Sequence, residues 1–365
     1  EFITTFLKHY KQGGRLPVWE LSANETDCMI GYHSIPVIFD AYQKGYRDFD
    51  LDLALEAMKA SAMADGFGLK SYKKNGYVAA QDEAESVSRT LEYAYDDWCI
   101  AQFAGSLNDH KTHAQFISRA LNYQNVFDPQ TGFMRARVNS GWYSPFDHRE
   151  VNFNYTEANA WQYSLFVPQD IRGMIRLYQG PRGLEAHLDQ MFNASAQTLG
   201  RHQADITGLI GQYAHGNEPS HHMAYLYNYI GQASKTQNYV HRIKTELYHN
   251  APDGLSGNED CGQMSAWYVF SALGFYPVSP GSNTYSIGQP SFKQAELSLP
   301  NGKTLQIKAE GLSDEAIYVK KVLLNDKALD SWELNHFDLM RGGALVFEMT
   351  SDASQVPNLE TQGTL

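Results

Sequence analysis

Five segments of the 365-residue chain set acids or amides just ahead of an apolar run: Asn24 and Glu25, Glu83 and Glu85, Glu157, Asn217 and Glu218, and Asp260. One acid before a helix has an ordinary job, because it caps free N–H groups and offsets the helix dipole. Five such loops, with Trp19, Trp161 and several histidines interleaved, point instead to one shared pocket. Two carboxylates facing each other across a hollow suit glycosidic-bond hydrolysis. One, kept protonated, donates to the leaving oxygen, and the other activates water or attacks. The surplus oxygen donors suit a hard cation such as Ca2+.

The elements that must position these groups follow from hydrophobic period. Residues 254–277 open with a Gly-rich loop ending in Asn258, Glu259 and Asp260, and continue into Ala266, Trp267, Val269, Phe270, Ala272 and Leu273. A run apolar on all sides predicts a buried helix, stopped at Gly274 and Pro277, with Asp260 at its N-terminus. Residues 31–45, 86–107, 159–178 and 220–231 also read as buried helices. Between them, residues 50–64, 111–125, 183–195 and 234–248 carry one apolar stripe each, and residues 1–12 form a short amphipathic helix. Residues 131–147 have hairpin character.

Inner and outer helices alternating in this way predict a mainly α fold, an (α/α)6 toroid of which about ten helices are readable. In such a toroid the inner helices run parallel, so the five acidic loops would share one end. From residue 284 the period changes to that of strands. The Asn301-Gly302 turn between 295–300 and 303–308 marks a hairpin, and 316–324, 332–339 and 345–349 continue in strand style. The expected organisation is therefore a helical barrel over 1–280, a C-terminal antiparallel β segment over 281–350 packing on the barrel or on another domain, and a tail over 351–365.

Composition excludes several classes. Hydrophobic residues make up 43% and charged residues 19%, which excludes a disordered chain. A formal net charge of −12, with no basic cluster, argues against nucleic acid or an anionic membrane as partner. No stretch is long and apolar enough for a membrane span. Cys28, Cys99 and Cys261 are too scattered for a disulfide framework or a zinc site and read as small buried hydrophobes. No HExxH, P-loop, GxGxxG or serine-elbow motif is present.

Five longer motifs resemble glycoside hydrolase family 92. They are Trp19-Glu with Asn24-Glu-Thr-Asp-Cys-Met-Ile-Gly-Tyr-His33, Leu91-Glu-Tyr-Ala-Tyr-Asp-Asp-Trp98, Tyr155-Thr-Glu-Ala-Asn-Ala-Trp-Gln-Tyr163, His215-Gly-Asn-Glu-Pro-Ser-His-His222 and Gly257-Asn-Glu-Asp-Cys-Gly-Gln-Met-Ser-Ala-Trp267. The resemblance implies an inverting, Ca2+-dependent exo-α-mannosidase acting on mannose-containing glycans. It makes Glu157 the general acid and Asp260 the general base. It places Asn217 and Glu218 in the Ca2+ shell, and Trp19, Glu25, Trp161, Gln162 and His202 around the sugar. Gln203 stands where α-1,2-specific members carry Glu beside a His, which bears on linkage preference.

The family also has an N-terminal β-sandwich and an early Trp-Asp-Thr-Phe-Arg motif, neither found in this chain, so the chain resembles the C-terminal part of the enzyme. No signal peptide is expected within these residues, and a periplasmic or secreted location is expected for the intact protein. Two other readings remain. One is a fragment or degenerate relative that binds mannosides or a partner domain without turnover. The other is a different toroid enzyme, a lyase or epimerase, which would need a Tyr/His or His/His pair in place of two carboxylates.

Overall fold

The computed structural model describes residues 1–359 and 361–363. It divides into two compact units. The first comprises Glu1–Asp170, Gln197–Gln203 and Pro280–Ser282, and the second Ile171–Ala196, Ala204–Ser279 and Asn283–Leu365.

The first unit is helical. Its helices are α1 (Phe2–Gly13), α2 (Ser34–Gln43), α3 (Leu51–Met63), α4 (Leu69–Asn75), α5 (Ser86–Ser106), α6 (His110–Arg119) and the single turn α7 (Ala160–Tyr163). Most match the predicted positions. Gly14, left-handed at φ 75°, ends α1, and the Asp50 side chain caps α3 by accepting from Leu53 N–H. Helix α5 is the axis of the unit and is buried along nearly its whole length. Ile35, Ile38 and Phe39 of α2, Ala54 and Met58 of α3, and Phe116 of α6 share one apolar core with it. Residues 127–142 form two small ladders, Phe127–Asp128 with Phe133–Met134 and Arg137–Val138 with Gly141–Trp142, as the hairpin reading expected.

The second unit holds α8 (Ile171–Leu177), α9 (Pro181–Asn193), α10 (Ala233–Glu246), α11 (Gln263–Leu273) and α12 (His336–Leu339). Three readings need correction here. Residues 159–178 are two helices and not one, because Pro168 cannot donate a helical hydrogen bond and disfavours helix in the residue before it. The aromatic run near 220–231 is a 3-10 helix over Met223–Ile230, closed by left-handed Gly231. Helix α11 is buried on one side only. Met264, Trp267, Ser271 and Ala272 face inward while Val269 is 55% exposed. An all-apolar run says that every face could be covered, not that every face is.

The C-terminal strands form a five-stranded sheet in the order Gln294–Ser298, Thr304–Glu310, Gly343–Thr350, Tyr318–Leu324, Lys327–Ala328. It is not purely antiparallel as expected. Gly343–Thr350 runs parallel to Thr304–Glu310 and antiparallel to Tyr318–Leu324. Geometry requires this. Its two neighbours run in opposite senses, so a strand inserted between them must be parallel to one. The end of the expected strand 332–339 is helix α12, and Glu333–Asn335 belongs to a second, three-stranded sheet. Period-two alternation points Leu305, Ile307, Leu345 and Phe347 into a core shared with Phe270, Leu273 and Phe275.

All three cysteines are unpaired. Cys99 is buried as expected, but Cys28 and Cys261 are exposed. Among the described residues no helix is long and apolar enough to cross a membrane.

Candidate active site

In the first unit, the start of α5 fixes the loop that carries Glu157. The carbonyl of Phe153 accepts from Glu85 N–H at 2.6 Å, and that of Asn154 accepts from Val87 N–H at 3.0 Å. Thr156 N–H donates to Ser88 Oγ at 2.9 Å. Glu157 is partly buried and left-handed at φ 52°, a backbone state that non-glycine residues adopt rarely and that clusters at functional positions. Just beyond it, Asn159 and Gln162 close a capping box on α7: Asn159 Oδ1 takes Trp161 N–H at 3.0 Å, and Gln162 Oε1 takes Asn159 N–H at 2.7 Å. Both residues expected around the sugar here are buried. Trp161 is 1% exposed and meets Phe133 and His148 edge-on at 4.6 and 5.2 Å, and the Gln162 carbonyl oxygen serves the cap.

The segment before His202 arrives beside the same loop. Leu199–Gly200 pairs in parallel with Glu150–Val151, Arg201 N–H donates to Val151 O at 3.0 Å, and the Arg201 guanidinium lies 4.7 Å over the Phe153 ring. His202 itself is exposed. Trp19 and Glu25 belong to a separate hairpin, Glu20–Leu21 with Asn24–Glu25. The Glu25 carboxylate accepts from Val18, Trp19 and Asp27 N–H at 2.6, 3.1 and 2.9 Å. Burial works against its charge, but these donors outweigh it and hold the pKa below the usual range. Trp19 is 36% exposed, so its indole is open.

Beneath the Glu157 loop lies a charged layer. Tyr163 OH donates to Glu92 Oε1 at 2.6 Å, and His33 sits between Glu92 Oε2 at 2.7 Å and Asp96 Oδ1 at 2.8 Å. Both ring nitrogens face carboxylates, so both carry protons and the imidazole is cationic. Burial opposes that charge, yet Asp96 and Glu92 raise the pKa well above its ordinary value. Next to it, Asp97 is fully buried and takes Arg119 Nε at 2.8 Å, Tyr32 OH at 2.7 Å and Tyr72 OH at 3.0 Å.

In the second unit Asp260 stands at the start of three consecutive left-handed residues, Asp260, Cys261 and Gly262, at φ 47°, 55° and 94°. Helix α11 begins only after them. Its first turn is served by Glu259, whose carboxylate accepts from Ser265 N–H at 3.1 Å and Ser265 Oγ at 3.0 Å. The expected pairing of Asp260 with the helix N-terminus is thus made by its neighbour. Among the described residues the partly buried Asp260 carboxylate has no hydrogen-bond or ion-pair partner. Asn258 Nδ2 meets Asp205 Oδ1 at 3.2 Å.

The loop with Asn217 and Glu218 adjoins that of Asp260. A Cβ on Gly257 would fall 2.6 Å from the Gly216 carbonyl oxygen, so only glycine lets the two backbones touch. Asn217 Oδ1 accepts from Glu218 N–H at 3.1 Å and opens the turn Glu218–Ser220, where the buried Ser220 Oγ has no hydrogen-bond partner among the described residues. This donor set is all oxygen. Among the described residues no three His, Cys, Asp or Glu side chains gather as a metal cluster. These groups fit a hard cation that keeps part of its shell for water and substrate hydroxyls.

The glycosyl hydrolase family 92 catalytic domain matches residues 1–351. The chain belongs to glycosyl hydrolase family 92. A family GH92 α-mannosidase from Bacteroides thetaiotaomicron, solved in complex with mannoimidazole, is 40% identical with a TM-score of 0.91, over 98% of this chain and 50% of that one. A family GH92 inverting mannosidase from Bacteroides thetaiotaomicron VPI-5482 is 36% identical with a TM-score of 0.87, over 99% and 52%. An uncharacterized secreted glycosidase of Arthroderma benhamiae is 28% identical over 393 aligned positions, covering 95% of this chain and 48% of that protein. The chain spans about half the length of these relatives.

In this family 92 chain the structure gathers the candidate residues into three sets. Trp19 and Glu25 share a hairpin; Glu157, Trp161, Gln162 and the segment of His202 share one loop system; Asn217, Glu218 and Asp260 share another. Sequence reasoning missed the supporting layer of His33, Glu92, Asp96, Asp97 and Arg119. The signal was present: three acids in a helix read as buried must each find a partner.

Proposed function

We propose that this chain is the acid–base half of an α-mannosidase that removes terminal mannose from mannose-rich glycans with inversion. The observation that carries the reading is the Asp260 carboxylate, partly buried and without a partner among the described residues while Glu259 beside it does the capping. The similarity to family 92 α-mannosidases, one inverting and one in complex with mannoimidazole, supports the substrate class. In this reading the helices belong to an (α/α) toroid, and Glu157 and Asp260 are the acid and base of an inverting hydrolysis, a chemistry that admits one water at the base.

Glu157 gives its proton to the glycosidic oxygen as the bond to the anomeric carbon breaks. Water attacks that carbon from the other face, and Asp260 takes the water's proton, so β-mannose leaves with an alcohol. Trp19, Glu25, Trp161, Gln162 and His202 hold and orient the sugar, directly or by backing the residues that do. Asn217 and Glu218 would hold Ca2+, which supplies a Lewis-acid anchor for sugar hydroxyls. An N-terminal β-sandwich and export from the cytoplasm complete the proposal; the description of the Arthroderma benhamiae relative as secreted fits the latter.

The test uses the full-length protein and an α-manno-disaccharide, with the first-formed anomer read by NMR. We expect β-mannose, abolition by EDTA with recovery on adding Ca2+, and losses of about a thousandfold or more in Glu157→Gln and Asp260→Asn. α-Mannose as first product, or near-native turnover in either variant, sinks the reading.

A further inference from the structure

Helix α11 and the loop 215–222 are tied by the side chains of Gln263 and Trp267. Gln263, the first residue of α11 and three residues after Asp260, places Nε2 3.0 Å from His221 Nδ1 and 3.2 Å from Tyr276 Oη. The His221 ring is oriented from its far side, where Nε2 lies 2.9 Å from the carbonyl oxygen of His215. A carbonyl only accepts, so the proton sits on Nε2 and Nδ1 carries a lone pair. The Gln263 amide must then present its NH2 to His221, and its orientation is fixed. Trp267 Nε1, one turn further along α11, donates to the His221 carbonyl at 2.9 Å. His215 is held in turn by Tyr213 OH at 2.7 Å and Tyr248 OH at 2.6 Å, and Tyr248 OH donates to Met264 O at 3.0 Å.

The consequence is geometric. Helix α11 follows directly on Asp260. The loop it grips contains Asn217 and Glu218, and the two loops already touch at Gly216 and Gly257. We propose that Gln263 is a positioning residue that, through His221, locks the loop of Asp260 to the loop of Asn217 and Glu218, so that the base and the cation's ligands are placed as one rigid piece. Gln263 itself need not touch the reacting atoms. It deepens the reading above and rests on it for the roles of Asp260, Asn217 and Glu218.

Gln263→Ala removes the side-chain contact to His221 Nδ1 and Tyr276, while Trp267 Nε1 still holds the His221 carbonyl. Gln263→Glu restores a contact of reversed polarity, with Tyr276 OH donating to the carboxylate and His221, protonated on both nitrogens beside it, donating from Nδ1. Three measurements on the full-length protein decide. Hydrogen exchange reports the amides of 213–222 and 257–267; calorimetry reports Ca2+ affinity; kinetics at saturating Ca2+ separates kcat from KM. In Gln263→Ala we expect both segments to exchange faster together, Ca2+ affinity to fall about tenfold or more as for loss of an outer-shell partner, and kcat to fall by about tenfold to a hundredfold as for a small misplacement of a reacting group, with KM little changed. Gln263→Glu should recover most of the kcat and the joint protection. Faster exchange in only one segment, or unchanged Ca2+ affinity and kcat in Gln263→Ala, overturns the proposal. If the unmodified protein neither binds Ca2+ nor cleaves mannosides, the functional reading fails, while the exchange experiment still decides whether Gln263 couples the loops.

Discussion

The buried networks around α5, whose start holds the Glu157 loop, and around α11, which follows Asp260, use opposite chemistries. Behind Glu157 the supports are charged: His33 between Glu92 and Asp96, and Asp97 under Arg119, all on or against α5. Behind Asp260 they are neutral: Gln263, His221, His215, Tyr248 and Trp267 exchange hydrogen bonds with no formal charge. Burial pushes His221 down to about 4 and His215 well below its ordinary value, so both rings are uncharged at neutral pH. A charged support is strong only while complete, since each buried ion depends on its partner. A neutral one loses little per bond and is less sensitive to salt. The two carboxylates proposed as acid and base therefore sit on mounts with different weaknesses.

The sharpest break in that comparison is Arg119→Ala. It would leave Asp97, fully buried, with only two tyrosine hydroxyls. Removing one partner of a buried pair costs about 3–5 kcal/mol. The neutral counterpart, Tyr248→Phe, deletes hydrogen bonds worth about 1 kcal/mol each. Urea unfolding with an unchanged slope should show the first midpoint falling far more than the second. Equal losses would mean that the distinction between the mounts is not energetic.

The two histidines sharpen the comparison through pH, with opposite signs. His33 has a folded pKa well above its ordinary value, so its contribution is full below about 6.5 and fades as pH rises through the raised value. His221 has a folded pKa near 4, so the unfolded chain binds more protons between there and about 6.5. Its contribution is full above that window and fades as pH falls through it. The stability gap between the native protein and His33→Gln should shrink toward alkaline pH, and the gap to His221→Gln should shrink toward acid. Parallel curves in unfolding experiments from pH 4 to 9 would contradict the assigned charge states.

These differences also explain what the sequence could show. Helices such as Phe2–Gly13, Leu51–Met63 and Ser86–Ser106 announce themselves by long period and end signals. Helix α4 does not, because seven residues between left-handed Gly68 and Gly76 are too few to display a period. The parallel strand pair depends on which strand inserts between which, a choice written in no local pattern. In the candidate site, the loop positions of Glu157 and Asp260 were legible as acids preceding helices. Their left-handed backbones were not, since neither is glycine and the surrounding hydrogen bonds impose the state. Nor does a tryptophan declare its side of the wall: Trp19 is open and Trp161 is enclosed.

The smallest effect bears on the division of labour between adjacent acids. The Glu259 carboxylate receives the N–H and the hydroxyl of Ser265, whereas the Asp260 carboxylate receives nothing among the described residues. Glu259→Ala should therefore behave as the loss of a helix cap, about 1 kcal/mol, seen as a modest drop in unfolding midpoint. Its pH–rate profile should keep its shape, because the proposed base is unaltered. Asp260→Asn should do the reverse, leaving the midpoint nearly in place while turnover collapses. If Glu259→Ala abolished turnover at unchanged stability, the two roles would have to be exchanged, and the neutral mount behind α11 would be holding a different base.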